Sequence, residues 1–312
     1  MGIELAPFEG EHVAGAAVLL AERHARHREA EPLLGALEDP AAAVERARRA
    51  EGASGAVALA DGEVAGYLIG EEREDDVWGR HVWIRAEGHA AGEAEVARDV
   101  YAYAARQWVE RGGKLQLALV PAVPELADPW FRLSFAHMQA HAVREPGAAA
   151  GPPPEGVAIR PGTLDDLEAL RPLLPVIWLH QRDSPAFTGY TLPDEQVYLD
   201  DWREALEQPQ FTSFVAEQEG RIVGHVLLYP EDPDLLRPPG SVYLSVAATL
   251  PEARGRGIGV ALTDRALEWA REAGHTAVHT DWRVANLESS RFWPARGFRE
   301  TFWRLARRVE IG

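Results

Sequence analysis

The stretch that decides the fold is PEARGRGIGVAL, Pro251 to Leu262, in which glycines alternate with two arginines and an isoleucine just before an alanine-leucine helix begins. A Walker A loop requires Lys after its last glycine, and Val260 follows Gly259. A dinucleotide fingerprint needs its glycines directly after a strand, whereas the apolar strand SVYLSVAA, Ser241 to Ala248, ends with Thr249 to Ala253 still intervening. A third reading is a pyrophosphate cradle. There, glycines let backbone N–H groups approach the oxygens, the helix dipole adds partial positive charge, and Arg254 and Arg256 supply full charge. A plain glycine turn stays open until the neighbouring residues are read.

The chain has 312 residues, which favours two lobes of ordinary size, and 46% of them are hydrophobic, enough for folded cores. No apolar run approaches the ~20 residues of a membrane span. The opening MGIELAPFEGEHV has neither the basic head nor the apolar core of a signal peptide, so the expectation is a cytoplasmic protein with no membrane partner. The absence of cysteine excludes disulfides, a thiolate nucleophile and zinc-thiolate clusters, and no metal site is expected. A formal net charge of -17 argues against nucleic acid and favours a cationic small molecule over an acidic one. The acidic run EEREDD, Glu71 to Asp76, reads as a solvated loop.

One segment reads as a linker: EPGAAAGPPPEG, Glu145 to Gly156. The division is a first domain over 1–145, a Pro/Gly linker over 146–156 and a second domain over 157–312. The halves repeat each other. IELAPFEGEHVAGAAVLL (Ile3 to Leu20) matches VAIRPGTLDDLEALRPLL (Val157 to Leu174), and ALADGEVAGYLIG (Ala58 to Gly70) matches AEQEGRIVGHVLL (Ala216 to Leu228). YAYAARQWVERGG (Tyr101 to Gly113) matches DRALEWAREAG (Asp264 to Gly274), and PWFRLSF (Pro129 to Phe135) sits where WPARGF (Trp293 to Phe298) sits later. Four matches in one order imply duplication of an α/β unit. Where the second half has EARGRGIG, the first has AEGHAAGEAE, Ala86 to Glu95, whose acids would repel an anion. One competent cofactor site per chain is expected.

RGRGIG resembles the Gln/Arg-x-x-Gly-x-Gly/Ala signature of the GNAT superfamily of acetyl-CoA-dependent N-acetyltransferases, with Arg254, Gly257 and Gly259 at its fixed positions. Downstream, NLESSRFWPARGF resembles that family's second signature through Asn286, Ser290, Trp293 and Gly297-Phe298. The likeness covers the second half, and the first half resembles the same fold with eroded signatures. A tandem GNAT protein of the α/β (α+β) class is implied, with two mixed, mostly antiparallel sheets each flanked by helices. The resemblance further implies acetyl-CoA as cosubstrate. Its pantetheine would lie beside Ala247, Ala248 and Thr249 between splayed fourth and fifth strands. Its pyrophosphate would lie at Arg254, Gly255, Arg256, Gly257, Ile258 and Gly259, with Asn286, Ser290 and Trp293 completing the cofactor site.

A free alkyl amine with a pKa near ~10.4 is almost fully charged at neutral pH, and unmasking it costs roughly 4–5 kcal/mol, so a proton acceptor is needed. Asp281 falls where several GNAT enzymes carry a carboxylate base, and His279, two residues earlier on the same strand, shares its face. Pairing of Asp281 with a cation, and a structural His279, are the alternative readings. Many GNAT enzymes have a tyrosine acid where this chain has Trp293. Ser290 or water is then expected to protonate the leaving thiolate. The acceptor pocket of the family is built by the segment equivalent to Val176–Trp202, where Trp178, Phe187 and Tyr190 could flank an organic cation or pack in the core. The expected activity is acetyl transfer to a primary amine of a small molecule, by direct attack in a ternary complex. A non-catalytic acyl-CoA-binding module and a protein N-terminal acetyltransferase are the alternatives.

Overall fold

A computed structural model of the chain describes residues 2–149, 151–186 and 195–310. The chain forms two compact units: Met1–His141 together with Glu300–Gly312, and Ala142–Arg299. In chain order the first unit holds β1 (Ile3–Pro7), α1 (Val13–Ala30), α2 (Pro40–Arg49), β2 (Ala53–Ala60), β3 (Glu63–Asp75), β4 (Gly79–Ile84) and β5 (His89–Ala91). It continues through α3 (Ala94–Glu110), β6 (Leu115–Pro121) and α4 (Pro124–Arg132), and the boundary falls within β7 (Ala136–Arg144). The second unit holds β8 (Val157–Pro161), α5 (Leu167–Leu170), α6 (Val176–Asp183), α7 (Glu195–Glu207), β9 (Thr212–Gln218) and β10 (Arg221–Tyr229). It closes with β11 (Val242–Thr249), α8 (Ile258–Glu272), β12 (Val278–Arg283) and α9 (Leu287–Ala295). The final strand, β13 (Arg299–Arg308), runs back into the first unit.

Within each unit the strand pairing is mixed and mostly antiparallel. In the first unit β1-β2-β3-β4 pair antiparallel, β4 meets β6 in parallel, and β13 adds antiparallel to β6 from Phe302 opposite Pro121 to Arg308 opposite Leu115. In the second, β8-β9-β10-β11 pair antiparallel and β11 meets β12 in parallel. The duplication seen in the sequence is visible in the turns. Asp61-Gly62 (φ 51° and 84°) and Glu219-Gly220 (φ 53° and 74°) both take two left-handed residues, the geometry that matches the twist of a two-residue hairpin.

Glycine also repeats where a helix crosses the sheet. A Cβ on Gly66 of β3 would come within 2.6 Å of Val96 on α3, and one on Gly224 of β10 within 2.8 Å of Leu262 on α8. The missing side chains let α3 and α8 lie close on their sheets. Behind that contact Leu262, Ala266, Leu267 and Ala270 of α8 are buried in one unit, and Val100, Tyr101, Ala104 and Trp108 of α3 in the other. Leu305 of β13 belongs to the same apolar cluster as Trp108 and Val120. The cut drawn from the linker placed this strand with the second half. Its pairing with β6 places it with the first unit. No helix among the described residues is long and apolar enough to cross a membrane.

Candidate functional site

The site begins where two strands part. β11 and β12 pair only at Val242–Val278 and Tyr243–His279, and the Thr280 hydroxyl donates to the Leu244 carbonyl at 2.9 Å just beyond. From there the strands share no further ladder. On the other side of β11 the register against β10 shifts between Leu227 and Leu228, opposite Val246 and Leu244, so Ser245 is the extra residue of a bulge. A bulge bends its strand and increases local twist. Its effect here is to turn Ala247, Ala248 and Thr249 away from β12, with Ala248 buried and its two neighbours half-buried.

At the rim of this fork stands the start of α8. Gly255 (φ 74°) and Gly257 (φ 82°) are left-handed, and Gly257 is the N-cap residue. Among the described residues the N–H groups from Gly255 to Val260 have no hydrogen-bond partner. Gly259 is helical, and a Cβ there would meet Phe292 and Thr249 only at an ordinary 3.7 Å. The fold itself therefore does not require a glycine at 259, and the space it leaves lies over unpaired donors. That is the chemistry of a pyrophosphate cradle, and these residues fit one. Ile258 is buried beneath it, and Arg256 is exposed and makes no ion pair among the described residues.

Arg254 is engaged. Its guanidinium lies 3.2 Å from Glu288 on α9 and 3.4 Å from His180 on α6. The other imidazole nitrogen of His180 lies 3.1 Å from Asn286 Oδ1, which also accepts from the Ser289 N–H and so caps α9. The structure thus brings Arg254 and Asn286 together through two residues the sequence reading missed, His180 and Glu288. Sequence distance hid them, because the contacts join three separate helix ends. Ser290 donates its hydroxyl to the Val284 carbonyl at 2.7 Å. Trp293 is buried, packed edge-on against Phe292 and Phe298 at 5.0 and 5.1 Å.

The closed end of the fork is polar. Tyr243 donates its hydroxyl to Asp281 at 2.5 Å, and its ring stacks on His279 with centroids 5.1 Å apart and planes 12° from parallel. His279 is buried, with Nδ1 at 3.1 Å from Ser241 Oγ and Nε2 at 3.1 Å from Glu231, which in turn pairs with Arg237 at 3.1 Å. Tyr229 closes the cluster edge-on to Tyr243 at 5.5 Å. Burial and the Asp281 charge push the Tyr243 phenol well above its usual range, so it stays protonated and acts as a donor at neutral pH. The hydrogen bond with His279 holds the Glu231 carboxyl below the ordinary carboxylate range. Tyr243 and Glu231 were not singled out from the sequence. The period-two alternation of Ser241, Tyr243 and Ser245 was the available signal for the tyrosine.

Of the expected acceptor residues, Trp178 lies half-buried on α6 with its ring 5.9 Å from Tyr198. Phe187 and Tyr190 lie outside the described residues. Among the described residues no cluster of three His, Asp or Glu side chains is arranged to hold a metal ion.

The site thus joins a sheet forked between its fourth and fifth strands to a glycine-arginine loop that opens the following helix. Residues 175–298, within the second unit, match the acetyltransferase (GNAT) family. A 71-residue stretch is 41% identical to L-2,4-diaminobutyric acid acetyltransferase of Nocardia farcinica, covering 22% of this chain and 34% of that relative. The chain thus aligns with only about a third of that protein. Over nearly the whole length the fold is similar to the crystal structure of a GCN5-related N-acetyltransferase from Sphaerobacter thermophilus (TM-score 0.59, 16% identity, 99% and 97% of the two chains). It is also similar to a tandem GNAT protein from the clavulanic acid biosynthesis pathway (TM-score 0.52, 14% identity, 100% of both chains). The first unit thus resembles the same fold as the second.

Proposed function

We propose that the chain is an acetyl-CoA-dependent N-acetyltransferase acting on a primary amine of a small molecule by direct attack in a ternary complex, with the second unit carrying the reaction. The observation that carries this reading is the run of unpartnered N–H groups from Gly255 to Val260 at the rim of the β11–β12 fork. Those groups and Arg256 would hold the pyrophosphate, and the open edge of Ala247–Thr249 would hold the pantetheine, each backbone bond contributing roughly 0.5–1.5 kcal/mol net. When bound, acetyl-CoA supplies the electrophilic acyl carbon and a thiolate leaving group.

The proton is handled by this chain's own residues. Asp281 accepts it from the substrate ammonium. Tyr243 orients the carboxylate by donating its hydroxyl to one oxygen. His279, with both ring nitrogens engaged, holds the Tyr243 ring in place. Ser290, whose hydroxyl proton is directed to Val284, supports the start of α9, and water protonates the leaving thiolate. A thiol with a pKa near the ~8.5 of cysteine leaves without prior protonation. Trp178 forms part of the acceptor wall.

Calorimetric titration with acetyl-CoA tests the cofactor assignment, and turnover against an amine panel that includes L-2,4-diaminobutyrate tests the activity. Arg256→Glu reverses an exposed charge without straining the backbone, and it should weaken acetyl-CoA binding by about tenfold or more, some 1.4 kcal/mol. Unchanged affinity would remove the loop from the cofactor site.

A further inference from the structure

The first unit holds an open cleft of its own between β5, α1 and the N-terminal ends of α3 and α4. Its walls include Tyr67 and Trp130, and four charged residues line it: Arg23, Arg26, Glu93 and Glu125. Arg23 is buried at 3% exposure, while Arg26, Glu93 and Glu125 are exposed at the mouth. None of the four makes an ion pair among the described residues. This is unusual in a chain whose surface arginines mostly bridge to acids.

The buried cation is the stronger observation. The Arg23 guanidinium is held by the Ala86 and His89 carbonyls, with its Nε unpartnered and no carboxylate within ion-pair distance. His89, beside it, is buried and kept neutral, its pKa pulled down to about 3 chiefly by burial, so it offers no counter-charge. Burial lowers the Arg23 guanidinium from its usual range and outweighs the Glu87 carboxylate, which acts on it from beyond ion-pair distance. The positive charge therefore sits in the wall of an open cleft, and the two acids stand at its entrance. The acids of the loop around Glu93 suggested repulsion of anions, but the interior is cationic.

We propose that this cleft binds a small zwitterion of the amino-acid type, its carboxylate toward Arg23 and Arg26 and its ammonium toward Glu93 and Glu125, with the carbon chain against Tyr67 and Trp130. A simple anion would leave the two acids uncompensated, and a simple diamine would leave the arginines so. Only a ligand with both charges neutralises both ends. The site is separate from the fork of the second unit and does not depend on its chemistry.

The test is calorimetry on the full chain with three probes: L-ornithine, putrescine, which lacks the carboxylate, and pentanoate, which lacks both amines. Ornithine should bind, with putrescine and pentanoate each at least about tenfold weaker. Arg23 supports backbone carbonyls and its replacement endangers folding, so the variants used are Arg26→Gln and Glu125→Gln at exposed positions. Each should weaken ornithine roughly 5- to 10-fold, the range of one partly exposed charge pair, while Asp281→Asn in the other unit should leave it unchanged. The proposal is overturned if ornithine gives no heat by about 10 mM, or if putrescine binds as tightly. It is overturned equally if either exposed variant has no effect, or if Asp281→Asn abolishes the binding.

Discussion

At the scale of single residues the proton route rests on a pair, Tyr243 and Asp281, and the two can be separated by pH. If Asp281 accepts the ammonium proton, Asp281→Asn should depress kcat/KM by roughly 10²–10⁴-fold near neutrality and recover at high pH, where free amine is abundant. A pH-independent loss would make the carboxylate a positioning group instead. Tyr243→Phe removes only the donor that orients it, so a smaller loss with an unchanged profile shape is expected. Glu288 makes a different contribution. Its carboxylate occupies Arg254, the one loop arginine with an anionic partner, and a pyrophosphate must compete with it. Glu288 is more than half exposed, so the pair is screened and worth at most about 1 kcal/mol. Titration of Glu288→Gln should show acetyl-CoA binding tightened roughly 2- to 5-fold, and weaker binding would mean that Glu288 orients the arginine rather than competes for it.

At the scale of elements, the closeness of α8 to β10 is set by one missing side chain. Gly224→Val would drive a branched Cβ into Leu262 and Ile258, at 2.8 and 3.2 Å from the added carbon. Overpacking of this kind costs about 1–3 kcal/mol. A lower Tm with weaker acetyl-CoA binding is expected, because the helix that moves carries the N–H cradle at its end. The elements themselves were legible in the sequence for physical reasons. Asp61-Gly62 and Glu219-Gly220 mark their hairpins by turn chemistry, and the glycine-arginine run marks the start of α8. What was not legible depended on register or partner choice. Nothing local in β13 says that its neighbour is β6. Likewise Asp281 could be named, but its contact with Tyr243 follows from where β11 and β12 stop pairing. His180 reaches Asn286 only because α6 and α9 are brought together by elements in between.

At the scale of the whole molecule, buried histidines make stability depend on acid. Burial lowers His27, His89 and His225 to about 3, below the ~6.5 of an unfolded chain. Between those values the unfolded state binds protons that the folded state does not, so stability falls as pH falls from about 6.5 toward 3. Each such group contributes up to about 1.4 kcal/mol per pH unit in that window. Thermal melts followed by circular dichroism should show Tm flat above about pH 7 and declining below it, with His225→Phe flattening the slope. A Tm indifferent to pH between 7 and 4.5 would mean these imidazoles are not buried and neutral.

The return of β13 to the first unit also bears on how the chain is made. Synthesis runs from the N-terminus, and β6, buried along its whole length, has one edge on β4 and the other reserved for a strand translated only after the second unit. All of the second unit must be synthesised in between, an interval on the order of ten seconds or more at ordinary translation rates. For that interval the nascent first unit presents an apolar strand edge with nothing to pair with, and such edges recruit foreign strands. The first unit is thus completed only after its neighbour has been made, so a proteolytic nick that frees β13 is felt most by residues far earlier in the chain.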